Sequence, residues 1–111
     1  MINASIYRIV NSVDKNVYVG CTTKSIEERF KKHMKNYYDP YKKNGLLYRH
    51  MKIVGRKNCS VELLDRDVFQ TRKEMLEREK HFIELFGTLN KNHNNKKIVK
   101  NLEEILFGET S

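Results

Sequence analysis

Two capping boxes decide most of what this chain can become. Ser25-Ile26-Glu27-Glu28 and Thr71-Arg72-Lys73-Glu74 each set a hydroxyl ahead of a glutamate at helical spacing. The hydroxyl accepts an early helix N–H and the glutamate reaches back, so a helix starts after each box and strands are left to the segments around them. Before the first box, Ser5-Ile6-Tyr7-Arg8-Ile9-Val10 and Val17-Tyr18-Val19-Gly20-Cys21 are rich in β-branched and aromatic residues and flank the polar stretch Asn11 to Asn16. That pattern predicts a hairpin. Strand alternation puts Ile6 on a face with Arg8, Tyr7 on a face with Ile9, and Tyr18 opposite Val17 and Val19.

At about 100° per residue, Ile26, Phe30, Met34 and Tyr37 form one apolar stripe on the first helix, which Asp39-Pro40 is expected to end. Asn44 to Val54 predicts a shorter helix, with Leu46, Leu47, His50, Met51 and Val54 at helical spacing and Gly55 as a left-handed cap. Cys59-Ser60-Val61-Glu62-Leu63-Leu64 predicts a third strand. The second box opens a helix running through Phe86 to a Gly87 cap, with Met75, Leu76, Phe82, Ile83 and Phe86 as its buried stripe. Leu89 to Lys97 is too polar for a core, and Ile98, Leu102, Ile105 and Leu106 suit a short final helix over Ile98 to Phe107. The order β-β-α-α-β-α predicts an α+β fold, a small three-stranded antiparallel sheet flanked by helices.

With 111 residues, site and scaffold must share one core. The 22 Lys and Arg against 14 Asp and Glu leave a net charge of +8, which favours polyanionic partners: nucleic-acid phosphates first, with anionic membranes and acidic proteins also attracted. No apolar run approaches the roughly 20 residues of a membrane span, and the N-terminus lacks a basic patch followed by an apolar stretch, so an intracellular location is expected. Cys21 and Cys59 are each alone in their segments, which fits reduced, partly buried thiols and neither a disulfide scaffold nor a paired-cysteine zinc site.

Five residues in three groups look placed for chemistry. Glu79 projects near the mean direction of Met75, Leu76, Phe82, Ile83 and Phe86, and a carboxylate inside an apolar stripe needs a partner, a proton or a metal unless it reaches the rim or a basic neighbour. No second acid stands beside it on the stripe, which argues against a two-metal site and a paired-carboxylate glycosidase. Arg29 and His33 stand one helical turn apart on one edge; a guanidinium fork and an imidazole suit a phosphodiester, or else belong to a solvated basic edge with Lys31, Lys32 and Lys35. Tyr7 and Tyr18 lie on adjacent strands, where tyrosines commonly pack; a catalytic phenol there would need nearby cations such as Lys24, Arg29 and a protonated His33 to lower its pKa of about 10. His50, His81 and His93 read as ordinary packed or solvated imidazoles.

Together, Ser5-Ile6-Tyr7, Tyr18-Val19-Gly20, Arg29 with His33, the stretch Leu47 to Gly55, and Leu76 to Ile83 around Glu79 resemble the GIY-YIG nuclease domain from about Ser5 to Asn92. The resemblance implies a nuclease domain over residues 1–92, followed by a basic linker and C-terminal helix over 93–111. It implies a metal-dependent endonuclease that hydrolyses DNA phosphodiesters. Glu79 would bind Mg²⁺ or Mn²⁺, Arg29 would steady the scissile phosphate, Tyr7 and Tyr18 would position or deprotonate water, and His33 would assist proton transfer. Asn90 would match the family's late asparagine, with Asn92 as fallback. Ser5 replaces the first glycine of the motif and Val19 an isoleucine, and neither change removes a functional group. Members often carry a separate recognition domain, so DNA targeting would come from a partner protein, a lost fusion or weak intrinsic selectivity. The rival expectations are a non-catalytic nucleic-acid-binding module and a protein-interaction module on the same scaffold.

Overall fold

The computed structural model describes residues 1–36 and 45–90. Strand β1 (Ile2–Asn11) pairs antiparallel with β2 (Tyr18–Thr22) on one side and β3 (Cys59–Phe69) on the other, giving the order β2-β1-β3. Between β2 and β3 come α1 (Ile26–Asn36), α2 (Gly45–Val54) and a short 3-10 turn (Arg56–Asn58), and α3 (Arg72–Phe86) follows β3. The predicted order of elements and the three-stranded antiparallel sheet are those observed.

β1 takes the centre because it carries buried side chains on both faces: Ala4 and Ile6 on one, Tyr7 and Ile9 on the other. On the Tyr7 face, Ile9, Leu47, Tyr48, Met51 and Leu89 form the main core with α1 and α2, joined by Tyr18, Phe30, Met34 and Val61. Each fully buried large apolar side chain there is worth about 1.5–3 kcal/mol. On the other face Ala4, Phe69 and Met75 form a smaller cluster with Cys21 beneath α3. The β1–β2 turn is fixed by Asn11 Oδ1, which accepts from the N–H groups of Val13 and Asp14, both at 2.8 Å. The Asp14 carboxylate then holds His50 Nε2 at 2.8 and 3.0 Å, tying the hairpin to α2. Burial pushes the Asp14 carboxyl up, and the hydrogen bonds from Asn11 and His50 outweigh that and leave it below its usual value.

Ser25 Oγ accepts from Glu28 N at 3.1 Å, and Thr71 Oγ1 accepts from Glu74 N at 3.2 Å, so both boxes cap as expected. In the second, the glutamate reaches the N–H of Gln70 at 3.0 Å, one residue before the cap. Tyr37, Asp39-Pro40, Asn44, Asn92, His93 and the expected helix at Ile98 to Phe107 lie outside the described residues.

Several expectations need correction. β3 runs on to Phe69 because Arg78 of α3 forks onto Asp65 and Asp67 and lies 5.2 Å over the Phe69 ring, holding a polar stretch in the sheet. The α3 stripe is not uniformly buried: Met75 is, Phe82 and Ile83 are half-buried, and Leu76 and Phe86 are 41% and 38% exposed. The sheet face under α3 offers Arg8, Asp65 and Asp67 where a wider sheet would offer apolar side chains, and Phe86 is met by the Arg8 guanidinium at 5.2 Å. Gly55 has a positive φ of 88° with ψ 129°, which opens the 3-10 turn and is not a left-handed cap. Gly87 has φ −74°; glycine is required there because a Cβ would stand 2.6 Å from Asn90 Oδ1.

Candidate active site

Register builds the centre. Tyr7 pairs with Gly20 and Ile9 with Tyr18, so Tyr7, Gly20 and Tyr18 share one face, and the Tyr7 ring lies across the glycine. A Cβ on Gly20 would stand 2.4 Å from Tyr7 Oη, so the second motif ends in glycine to give the phenol its seat. The two tyrosine rings are 6.4 Å apart between centroids. From α1, His33 enters the same pocket with no exposed surface, its Nε2 2.9 Å from Tyr7 Oη and its ring edge-on to Tyr18 at 5.4 Å. Its Nδ1 meets the Tyr48 hydroxyl of α2 at 3.1 Å. Arg29, a turn earlier on α1, stands close enough for its positive charge to bear on the Tyr7 and Tyr18 phenols.

Arg29 and His33 thus both bear on the Tyr7 phenol, His33 by a hydrogen bond and Arg29 by its charge. Glu79 comes from α3, which packs against β2 from the opposite face of the sheet, and its carboxylate charge bears on the Cys21 thiol and on Tyr18. It is half-buried, at the rim of the domain, where a carboxylate can remain charged and accessible. Asn90 sits outside this cluster. Its Oδ1 accepts from Val19 N at 3.0 Å and its Nδ2 donates to Val19 O at 2.6 Å, so both ends of the amide are spent on β2 between Tyr18 and Gly20. With Thr88 N and Leu89 N donating to Val17 O at 2.8 and 3.0 Å, this segment covers the outer edge of β2.

The electrostatics do not supply the lowered pKa that a catalytic phenol would need at rest. Burial pushes the Tyr7 phenol well above its ordinary value and the Tyr18 phenol up to about 12; neighbouring Tyr18 and Glu79 respectively add to the rise, and Arg29 only partly opposes it. The phenols are thus protonated at neutral pH. Burial, with help from the charges of Arg29 and Lys32, lowers His33 to about 4, so the imidazole is neutral. The Cys21 thiol, buried and next to Glu79, is pushed up to about 12 and stays a thiol.

Beside the cluster an open cleft of about 460 Å³ runs between α1 and the start of α3. Lys24, Arg29 and Lys32 stand with Glu28 on the α1 side and Arg72 on the α3 side, and Cys21 also lines it. Cations on both walls make it suited to a phosphodiester strand. As a metal donor set, Glu79 offers carboxylate oxygen alone, and no group of three or more His, Cys, Asp or Glu gathers among the described residues. A single hard oxygen ligand at an open rim fits a largely hydrated divalent cation such as Mg²⁺ or Mn²⁺ and does not fit tetrahedral zinc.

Sequence reasoning did not single out Tyr48 or the steric role of Gly20. The signal for Tyr48 was a polar-tipped aromatic between buried Leu47 and Met51 on the inner face of α2.

Comparisons with known proteins place the chain by family and fold. The family model described as the GIY-YIG catalytic domain matches residues 3–95. The structure of the catalytic domain of homing endonuclease I-TevI is similar with a TM-score of 0.63 and 25% sequence identity, over 75% of this chain and 87% of that one. The 146R protein of Invertebrate iridescent virus 6, named for an MSV199 domain, is 35% identical over 99 residues, 88% of this chain. The chain spans 38% of the length of that relative. No helix among the described residues is long and apolar enough to cross a membrane. With its sheet order, its paired tyrosines over Gly20 and its family match covering most of its length, the chain belongs to the GIY-YIG catalytic domain family of nucleases.

Proposed function

We propose that this chain is a metal-dependent endonuclease that hydrolyses DNA phosphodiesters, with Tyr7, Tyr18, Arg29, His33 and Glu79 as its working groups and Asn90 as the clamp that positions β2. The observation that carries the reading is the convergence of the Arg29 charge on Tyr7 and Tyr18 and of the Glu79 charge on Tyr18, beside a cleft that carries Lys24, Arg29, Lys32 and Arg72. A Mg²⁺ or Mn²⁺ ion held by Glu79 would supply charge neutralisation on the phosphoryl and leaving oxygens.

Arg29 grips a phosphate oxygen of the strand in the cleft and also faces Tyr7, so it sets the phosphate against the phenol. Because Tyr7 is protonated at rest, it acts by relay. It takes a proton from the attacking water at Oη as its own O–H proton passes to His33 Nε2, 2.9 Å away. The water oxygen bonds to phosphorus, the bond from phosphorus to the 3′ oxygen breaks, and that oxygen collects a proton from solvent. Tyr18 keeps its proton and orients the water as a donor. Lys24, Lys32 and Arg72 hold backbone charge, which binds DNA without reading sequence, so target selection is assigned to a separate targeting protein or domain.

The test is conversion of supercoiled plasmid to nicked or linear DNA. We expect conversion with Mg²⁺ or Mn²⁺, its loss on chelation and its return with excess metal. Binding of plasmid without cutting in any divalent cation would replace the nuclease reading with that of a binding module.

A further inference from the structure

The buried histidine has a second partner that the proposed chemistry leaves unused. His33 has no exposed surface, and its ring sits among three tyrosines, with centroids 6.1 Å from Tyr7, 5.4 Å from Tyr18 and 6.0 Å from Tyr48. Tyr7 and Tyr48 occupy its two nitrogens, at 2.9 and 3.1 Å. A neutral imidazole has one N–H, so it donates to one of these hydroxyls and accepts from the other.

The surroundings choose between the two arrangements. The positive charge of Arg29 bears on the Tyr7 oxygen and favours its lone pairs turned that way, so the Tyr7 O–H is the proton directed at Nε2, 2.9 Å away. An imidazole that accepts at Nε2 carries its proton at Nδ1, and the oxygen facing Nδ1 is that of Tyr48, itself 6% exposed. The geometry points to Tyr48 as a positioning residue of this centre: its hydroxyl receives the Nδ1–H of His33 and so keeps Nε2 open to the Tyr7 proton. This inference rests on the nuclease reading for its effect on rate, but its account of the tautomer stands apart from it.

Without that hydroxyl, Nδ1–H would be orphaned in a dry core, and the imidazole would relieve this by moving its proton to Nε2. Nε2–H then donates to Tyr7 Oη, and the Tyr7 proton has no acceptor. The relay also needs Tyr48 after transfer, because the imidazolium donates from both nitrogens. The groups that face His33 are neutral Tyr7 of β1, Tyr18 of β2 and Tyr48 of α2, with Arg29 and Lys32 on its own helix opposing the new charge. A strand phosphate bound by Arg29 and Lys32 offsets that opposition, so the relay gains basicity when DNA is present.

The experiment has two arms. In the first, nitrogen-15 NMR of the histidine rings in the intact chain at pH 7 reads the tautomer of His33. Protonation at Nδ1, moving to Nε2 in Tyr48→Phe, is the expected result; an Nε2–H tautomer in the parent overturns the proposal whether or not the variant folds. In the second, Tyr48→Phe lowers kcat for plasmid cleavage about 10- to 100-fold with KM for DNA unchanged, and shifts the acid limb of the pH profile. An unaltered kcat and pH profile, with only the thermal midpoint lowered, shows a packing role and overturns it. A parent that does not cut DNA yet shows the Nδ1–H tautomer refutes the nuclease reading and leaves the tautomer assignment supported.

Discussion

Gly20→Ala is expected to lower DNA cleavage about 100-fold while the helices remain formed, because a misplacement of about 1 Å at a reacting group costs that much. The new Cβ would lie 2.4 Å from Oη and 2.6 Å from Cζ of Tyr7, and 3.1 Å from Cε1 of Tyr18. Tyr7 cannot swing aside cheaply: it is 1% exposed and its hydroxyl is held by His33. Either the strands separate, an overpacking cost of about 1–3 kcal/mol, or the Tyr7–His33 bond breaks and leaves a buried imidazole nitrogen short of a partner, at about 1–3 kcal/mol. Urea denaturation reads the stability and plasmid cleavage the rate. Gly45→Ala is the control, since a Cβ at the start of α2 meets nothing within 4 Å; it should be neutral or slightly stabilising.

The second large effect is on stability in acid. His33 titrates near 4 in the folded chain against 6.5 as an ordinary imidazole, because burial, Arg29 and Lys32 all disfavour its charge. Between those values the unfolded chain binds a proton that the folded chain refuses, so stability falls as pH drops through the window, by about 3 kcal/mol in total. Asp14 titrates lower still, its folded value lying below 3.8, and leaves this window clear. Urea midpoints measured from pH 7 to pH 4.5 should decline steadily. A flat profile would mean that His33 is hydrated and free to protonate, which contradicts its place between Tyr7 and Tyr48.

Local chemistry made the helix starts legible, since a hydroxyl and a glutamate at capping spacing act on their own backbone. What depended on distant partners was not legible. The sequence pattern predicts β3 only to Leu64, because nothing in Asp65-Arg66-Asp67 announces that Arg78, on the next helix, pins both aspartates. Glu79 was singled out as a charge inside a buried stripe, yet the stripe is half-exposed; its place is special because it reaches Cys21 and Tyr18 around the β2 edge. Cations near the tyrosines in sequence are the condition for an acidified phenol, but burial is a property of the folded core and dominates both. Asn90 was found through resemblance alone, and its bonds to the Val19 backbone span most of the chain.

The most direct measurement is single-turnover cleavage of plasmid by the intact chain and by Glu79→Gln, in Mg²⁺ and in Mn²⁺, with DNA affinity measured in parallel. Removing the Glu79 carboxylate while keeping its shape should lower the rate at least about 1,000-fold, with DNA still bound through Lys24, Arg29, Lys32 and Arg72 of the cleft. A Glu79→Gln chain that cuts as fast as the parent would contradict the account at its centre.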